Sequence, residues 1–184
     1  MQANIALDES LAILYHQLTR ATHVPPEVLS PLAEVLPSIA SVHPDSSTRF
    51  LAFRLLAQLL TFASSPTRLE ILRDLTSESD FPQMRTAAIG LVKEAVLEAI
   101  SHAPSGRESN VFASPRFMRT FSSILFQPNP PSLFSSKPSL ADFQDSSELS
   151  RLAESLGLLY ILLKRDSGNL VRSSSHIALT FVLI

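Results

Sequence analysis

Two segments of this sequence repeat the same order of residue types, with their arginines 36 residues apart, and this repeat constrains the fold more than any other feature. In each segment an acidic residue leads to an arginine, then to an alanine, then to large aliphatic residues. The matching positions are Asp45, Arg49 and Ala52 in the first segment and Asp80, Arg85 and Ala88 in the second. A fainter echo, Met118-Arg119-Thr120, lies 34 residues after Arg85. This period is typical of helical-hairpin repeats, whose stacked helix pairs bury one another's flanks.

The composition also favours helices. Leucine and alanine dominate the apolar residues, tryptophan is absent and there are only four glycines. With 184 residues, of which 45% are hydrophobic, the chain can bury a sizeable core. We therefore predict an all-α fold of about six or seven helices. An ordinary irregular helical bundle with a chance echo is the alternative.

Apolar periodicity and proline positions give the approximate limits of the helices. They predict helices over 7–18, 27–42, 47–62, 65–75, 80–102, 115–126 and 147–166. Pro31 and Pro37 are expected to interrupt the second helix. The third, which includes Phe50, is apolar over most of its circumference and is expected to be buried on several sides. Gly90, inside the fifth helix, suggests that a neighbouring helix approaches closely there.

Polar residues at the predicted helix starts are read as caps. Ser65-Pro66 and Ser114-Pro115 each place a capping serine before a proline at the first helical position. Asp80 with Gln83 and Asp145 with Glu148 form capping pairs. Asp8 and Glu9 lie near the positive end of the first helix, and each repeat arginine can bridge to its acidic cap. Because Ser30, Ser65 and Ser114 precede prolines, phosphorylation of these serines is an alternative to a capping role.

These limits divide the chain into helical repeats (1–126), a loop rich in proline and serine (127–146), a final helix packing on the repeats (147–166) and an irregular tail (167–184).

The final helix carries leucines at steps of three and four: Leu149, Leu152, Leu156, Leu159 and Leu163. We expect this seam to pack in the core; a coiled-coil partner is the alternative. Leu133, Phe134 and Phe143 either anchor the loop or form a docking motif. The tail is apolar to its last residue and is expected to be truncated or aberrant.

Composition and spacing argue against several functions. A formal net charge of -2 gives no basic field for nucleic acid, and no stretch has the ~20 apolar residues that cross a bilayer. The chain has no cysteine, and no two of its five histidines have the spacing that places both on one metal. The four glycines compose no phosphate-binding loop. We expect no catalytic site, no cofactor and no metal, and a cytoplasmic location that could extend to the nucleus.

The repeated segments resemble the HEAT repeat, whose second helix typically opens with an acidic residue and a hydrophobic–arginine pair. Met84-Arg85 matches that pattern, whereas Thr48 puts threonine at the hydrophobic position. Residues 43–56, the helix from Ser65 to Leu75 and residues 81–94 are more specifically similar to the fungal branch of the Yap-binding protein, Alf4 and glomulin family. The resemblance covers about residues 43–102 well and extends loosely through the last helix.

Members of that family are helical-repeat proteins, longer than this chain, that act through protein contacts. The resemblance implies a scaffold or regulator whose partner is a cullin ubiquitin-ligase subunit, as for glomulin, or an oxidative-stress transcription factor, as for yeast members. It assigns no partner-binding residue here. Because the chain has no cysteine, any stress role must operate through binding and not through a disulfide relay. A structural helical-repeat domain of another assembly, with no regulatory role, is the alternative function.

Overall fold

The computed structural model describes residues 2–102, 110–129, 131, 133 and 146–172. These residues form seven α-helices, one 3-10 turn and no strand, which confirms the all-α class and agrees with a helical-repeat fold. The helices are α1 (Gln2–Arg20), α2 (Pro26–Val42), α3 (Ser46–Phe62), α4 (Ser65–Ser77), α5 (Pro82–His102), α6 (Pro115–Phe126) and α7 (Ser147–Arg165), with the 3-10 turn at Val111–Ala113. Phe134, Phe143, Asp145 and the apolar end of the tail lie outside the described residues.

The chain divides into two compact units, Met1–Ile71 and Leu72–Ile184, called unit 1 and unit 2 below. In unit 1, α3 packs against both α1 and α2. In unit 2, α5 packs against α7 and the 3-10 turn, and α6 contacts the same two elements. Three phenylalanines form the centre of the aromatic packing in unit 2, with ring centroids 6.2 Å apart for Phe112 and Phe117 and 5.2 Å apart for Phe117 and Phe121.

Helix α2 corrects the expected interruption, because it continues through both Pro31 and Pro37. Each proline removes one main-chain hydrogen bond, which a helix tolerates when tertiary packing holds it in place. Here Pro37 is itself buried, together with Leu29, Ala33 and Leu36 on the same helix. Burial of this face stabilises α2 despite its two prolines.

The helix starts agree with the predicted caps at some positions and differ at others. Ser114 caps α6 by accepting a hydrogen bond from Arg116 N, with Pro115 at the first turn, as predicted. For α4 the prediction was wrong by one residue, because the Ser64 hydroxyl accepts from Thr67 N. For α7 the cap is Ser146, whose hydroxyl accepts from Glu148 N at 3.1 Å. Any of several neighbouring serines can cap a helix, so the sequence alone does not show which one does, and only the backbone geometry identifies it.

Gly90 also differs from expectation, since a Cβ built on it meets no heavy atom within 4 Å outside its own helix backbone. No neighbouring helix therefore requires a glycine there. We expect Gly90→Ala to raise the free energy of unfolding by about 0.5–1 kcal/mol, because alanine loses less backbone entropy in a helix. Urea denaturation checks this, and a destabilised variant would contradict the open space beside Gly90.

Candidate functional site

The two repeat segments make the same main-chain contact. Arg49 Nη1 donates to His43 O at 2.7 Å, and Arg85 Nε donates to Ser79 O at 2.6 Å, so each arginine holds the carbonyl six residues before it. The arginines therefore fix the turn that enters α3 or α5, and do not bridge to the acidic cap as expected. Ala52 and Ala88 are both fully buried in the helices that follow. The echo at Arg119 differs, because its Nε donates to Pro115 O, four residues before.

The acidic residues of the two segments have different roles. Asp45 caps α3 by accepting from Thr48 N at 2.7 Å, and this hydrogen bond is the main cause that lowers the pKa of Asp45. Asp80 is exposed, and among the described residues it makes no hydrogen bond to α5. The spacing between the segments explains the difference. The residue 36 positions after Asp45 is Phe81, not Asp80, and the carbonyl of Phe81 accepts hydrogen bonds from the first turn of α5.

Thr48, at the position where the repeat pattern has a hydrophobic residue, is buried and makes a tertiary hydrogen bond. Its hydroxyl donates to Asp8 Oδ1 at 2.5 Å. Because α1 begins at Gln2, Asp8 lies beyond the first turn and acts through this contact with α3, not through the helix dipole as expected. Threonine at this position therefore ties α1 to the start of α3.

A buried ion pair orients α7 in unit 2, and sequence reasoning missed it. Glu148 and Arg151 are both buried, and Arg151 Nε donates to Glu148 Oε2 at 2.7 Å. Arg151 also donates to the last carbonyls of α6, those of Ile124 and Leu125, and to Gln127 O. Asn129 N donates to Glu148 Oε1 at 2.8 Å. One pair thus satisfies the carboxyl end of α6 and fixes the rotation of α7.

Most of the leucine seam of α7 does not pack in the core, contrary to expectation. The buried side of α7 consists of Glu148, Arg151, Ser155, Leu158, Leu159 and Leu162. Apart from Leu159, which belongs to both sets, these residues follow the same steps of three and four as the seam, each one residue earlier. Of the seam only Leu159 is buried; Leu149, Leu156 and Leu163 are exposed by 37%, 57% and 57%. Burial of Glu148 and Arg151 therefore rotates the leucines outward.

The exposed side of α7 carries an apolar strip that we name the leucine stripe, and the charged side chains of Glu154 and Lys164 are exposed beside it. It consists of Leu149, Leu152, Ala153, Leu156, Gly157, Tyr160 and Leu163. At a rise of 1.5 Å per residue it is about 21 Å long. Lys164 borders it, with Nζ 3.3 Å from the Tyr160 hydroxyl and 5.5 Å from the Tyr160 ring centroid. The small residues Ala153 and Gly157 leave room for another backbone to come close.

Two exposed apolar groups in unit 1 differ from the leucine stripe. Val28, Val35 and Val42 recur at the same seven-residue step along α2, exposed by 46–60%. Glutamates lie beside them on that helix, at 27 and 34. Phe50, expected to be buried, is 64% exposed, and the Arg54 guanidinium lies 5.8 Å from its ring centroid. The leucine stripe differs from both groups in presenting three exposed leucines and an exposed tyrosine on one helix.

Side chains that could bind a metal are not brought together in the part of the chain that the structure describes. There, no three His, Asp or Glu side chains come close enough to hold a metal ion. None of the described helices combines the length and apolar character needed to cross a membrane. What the described surface offers is a large exposed apolar face on a helix, which is typical of protein–protein contact.

The fold and this surface define a helical-repeat protein of the protein-binding class. The chain matches the family model described as "Uncharacterised protein family, YAP/Alf4/glomulin" over residues 4–178. It therefore belongs to the YAP/Alf4/glomulin family, and membership implies a role in protein–protein interaction in general. Comparison with curated proteins gave no match, and comparison with solved structures gave none.

Proposed function

We propose that this chain is a non-catalytic protein-binding scaffold of the glomulin and Yap-binding type, acting in the cytoplasm or nucleus on a ubiquitin ligase or an oxidative-stress factor. Family membership over residues 4–178 supports the general role. The leucine stripe is the observation that carries the proposal, because exposed apolar faces of this kind mark protein contacts.

The occupant of the leucine stripe is an amphipathic helix of the partner protein. Exposed leucines at steps of seven, with others at steps of three and four, match the spacing at which a second helix inserts its side chains. Lys164 at one border is complementary to an acidic residue on the edge of such a helix. A partner helix would cover Leu149, Leu156, Tyr160 and Leu163 together.

Affinity capture of the tagged chain followed by mass spectrometry tests the proposal. The test variant replaces Leu149, Leu156 and Leu163 by glutamine, which favours helices and leaves the buried side of α7 unchanged. The matched control replaces Val28, Val35 and Val42, which share the seven-residue step, by glutamine. We expect cullin-ligase or stress-factor components with the wild type and the valine variant, and their loss with the leucine variant.

Two other results would contradict the proposal. Capture of a different stable complex, without these components, would favour a structural domain of another assembly. Self-association of the wild type, abolished in the leucine variant and measured by light scattering, would show that the stripe binds a second copy and not a partner helix.

A further inference from the structure

A cleft of about 310 Å³ opens in unit 2, lined by residues at the ends of four helices. The carboxyl ends of α4 and α6 and the amino ends of α5 and α7 form its walls. The residues used below line it: Arg85 from α5, Ser147, Glu148 and Arg151 from α7. Apolar and hydroxyl-bearing residues complete the wall, among them Pro82, Ile124, Ser77 and Thr86. Neither the repeat pattern nor the leucine stripe requires such a cleft.

Among the described residues that line the cleft, Arg85 is the cation whose N–H donors are not all used. Glu148 and Arg151 neutralise each other, and Arg151 also takes carbonyls at the end of α6. Arg85 commits its Nε to Ser79 O, while its two Nη atoms make no hydrogen bond to any residue that the structure describes. The cleft therefore carries an excess of one positive charge on a planar group that suits an oxyanion.

The start of α7 reinforces this preference. Ser147 is the first residue of α7 and is exposed, so its hydroxyl is accessible from the cleft. The amino end of a helix carries a partial positive charge that favours an anion nearby. A carboxylate held by the Nη groups of Arg85 would lie in that field.

We propose that this cleft binds the carboxylate of an acidic side chain on a partner protein, with Arg85 as its principal ligand. The inference rests on the proposed protein-binding function and adds a polar anchor to it. Arg85 therefore has two roles, unlike Arg49. Its Nε donates to the turn that precedes α5, and its Nη groups donate to the carboxylate of the partner.

The test is a nuclear magnetic resonance titration of the ¹⁵N-labelled full chain with the peptide acetyl-Ala-Glu-Ala-amide. The control peptides carry glutamine or phosphoserine in place of glutamate. We expect the glutamate peptide to shift the Arg85 Nε–H signal and the amides of the first turn of α7, and the glutamine peptide to bind at least about tenfold more weakly.

Three variants assign the effect to the cleft. Arg85→Met and Arg49→Met each remove an arginine that holds a carbonyl six residues back, but only Arg85 lines the cleft. Ser147→Asp adds an anion at the start of α7, which stabilises the helix and repels the ligand. We expect Arg85→Met and Ser147→Asp to weaken binding of the glutamate peptide at least about tenfold. Arg49→Met should leave the affinity for this peptide unchanged.

Equal binding of the glutamate and glutamine peptides, or unchanged binding in Ser147→Asp, overturns the proposal even if Arg85→Met does not fold. Much tighter binding of the phosphoserine peptide overturns the assignment to a carboxylate. Stripe-dependent partner capture without peptide binding refutes the cleft and leaves the proposed function intact. Peptide binding without any capture refutes the proposed function alone.

Discussion

Replacing Arg151 by methionine is expected to lower the free energy of unfolding by about 3–5 kcal/mol, because it leaves a buried carboxylate without its partner. Glu148 would lose both hydrogen bonds from the guanidinium, and the carbonyls of Ile124 and Gln127 would lose their donor. Urea denaturation followed by circular dichroism measures the loss. Removing Glu148 as well, in the double variant Glu148→Gln with Arg151→Met, should recover part of it.

The matched control for Arg151 is Arg73→Met, also in unit 2. Arg73 pairs with Asp74 at 2.7 Å, but the two side chains are 41% and 51% exposed. Exposed ion pairs contribute about 0–1 kcal/mol, so this variant should be destabilised far less. Equal losses in the two variants would contradict a structural role for the buried pair.

The second large effect is expected for Phe117→Ala. Phe117 is fully buried in unit 2 and lies between two other rings, those of Phe112 and Phe121. Removing a buried phenylalanine side chain costs about 3–5 kcal/mol through lost apolar burial and the cavity that remains. The same denaturation experiment measures it.

Phe50→Ala deletes the same side chain from an exposed position and serves as the control. Its expected cost is within about 1 kcal/mol, which covers its contact with the Arg54 guanidinium. A loss at Phe50 as large as that at Phe117 would contradict the described burial of these two rings.

The helical class could be predicted from the sequence, because helix formation depends on local pattern. Apolar periodicity and proline positions gave the seven helices. Arg49 and Arg85, which the repeat pattern aligns, each donate to the carbonyl six residues before them. Their bonding partners were not predictable, because a carbonyl six residues back and a nearby carboxylate are equally available to an arginine in sequence.

The face that α7 buries could not be predicted from hydropathy. Two sets of positions on α7, one residue apart, follow the same steps of three and four. The leucines occupy one set and predicted that it is buried, whereas the structure buries the other. Charged residues are assigned to the surface because burying them unpaired is costly. The pairing of Glu148 with Arg151 and the carbonyls at the end of α6 removes that cost, but the contacts from Arg151 to those carbonyls join residues more than twenty apart. Only the tertiary structure therefore reveals the leucine stripe.

The absence of cysteine from the sequence allows a direct test of the leucine stripe as the partner-binding surface. Leu156→Cys places a single thiol in the stripe, and Val35→Cys places one on the exposed side of α2 as a control. The rate of alkylation by a maleimide is measured for each variant, free and in the captured complex. Binding through the stripe predicts strong slowing at position 156 and no change at position 35. An unchanged rate at position 156 in a complex that contains the partner would contradict this account.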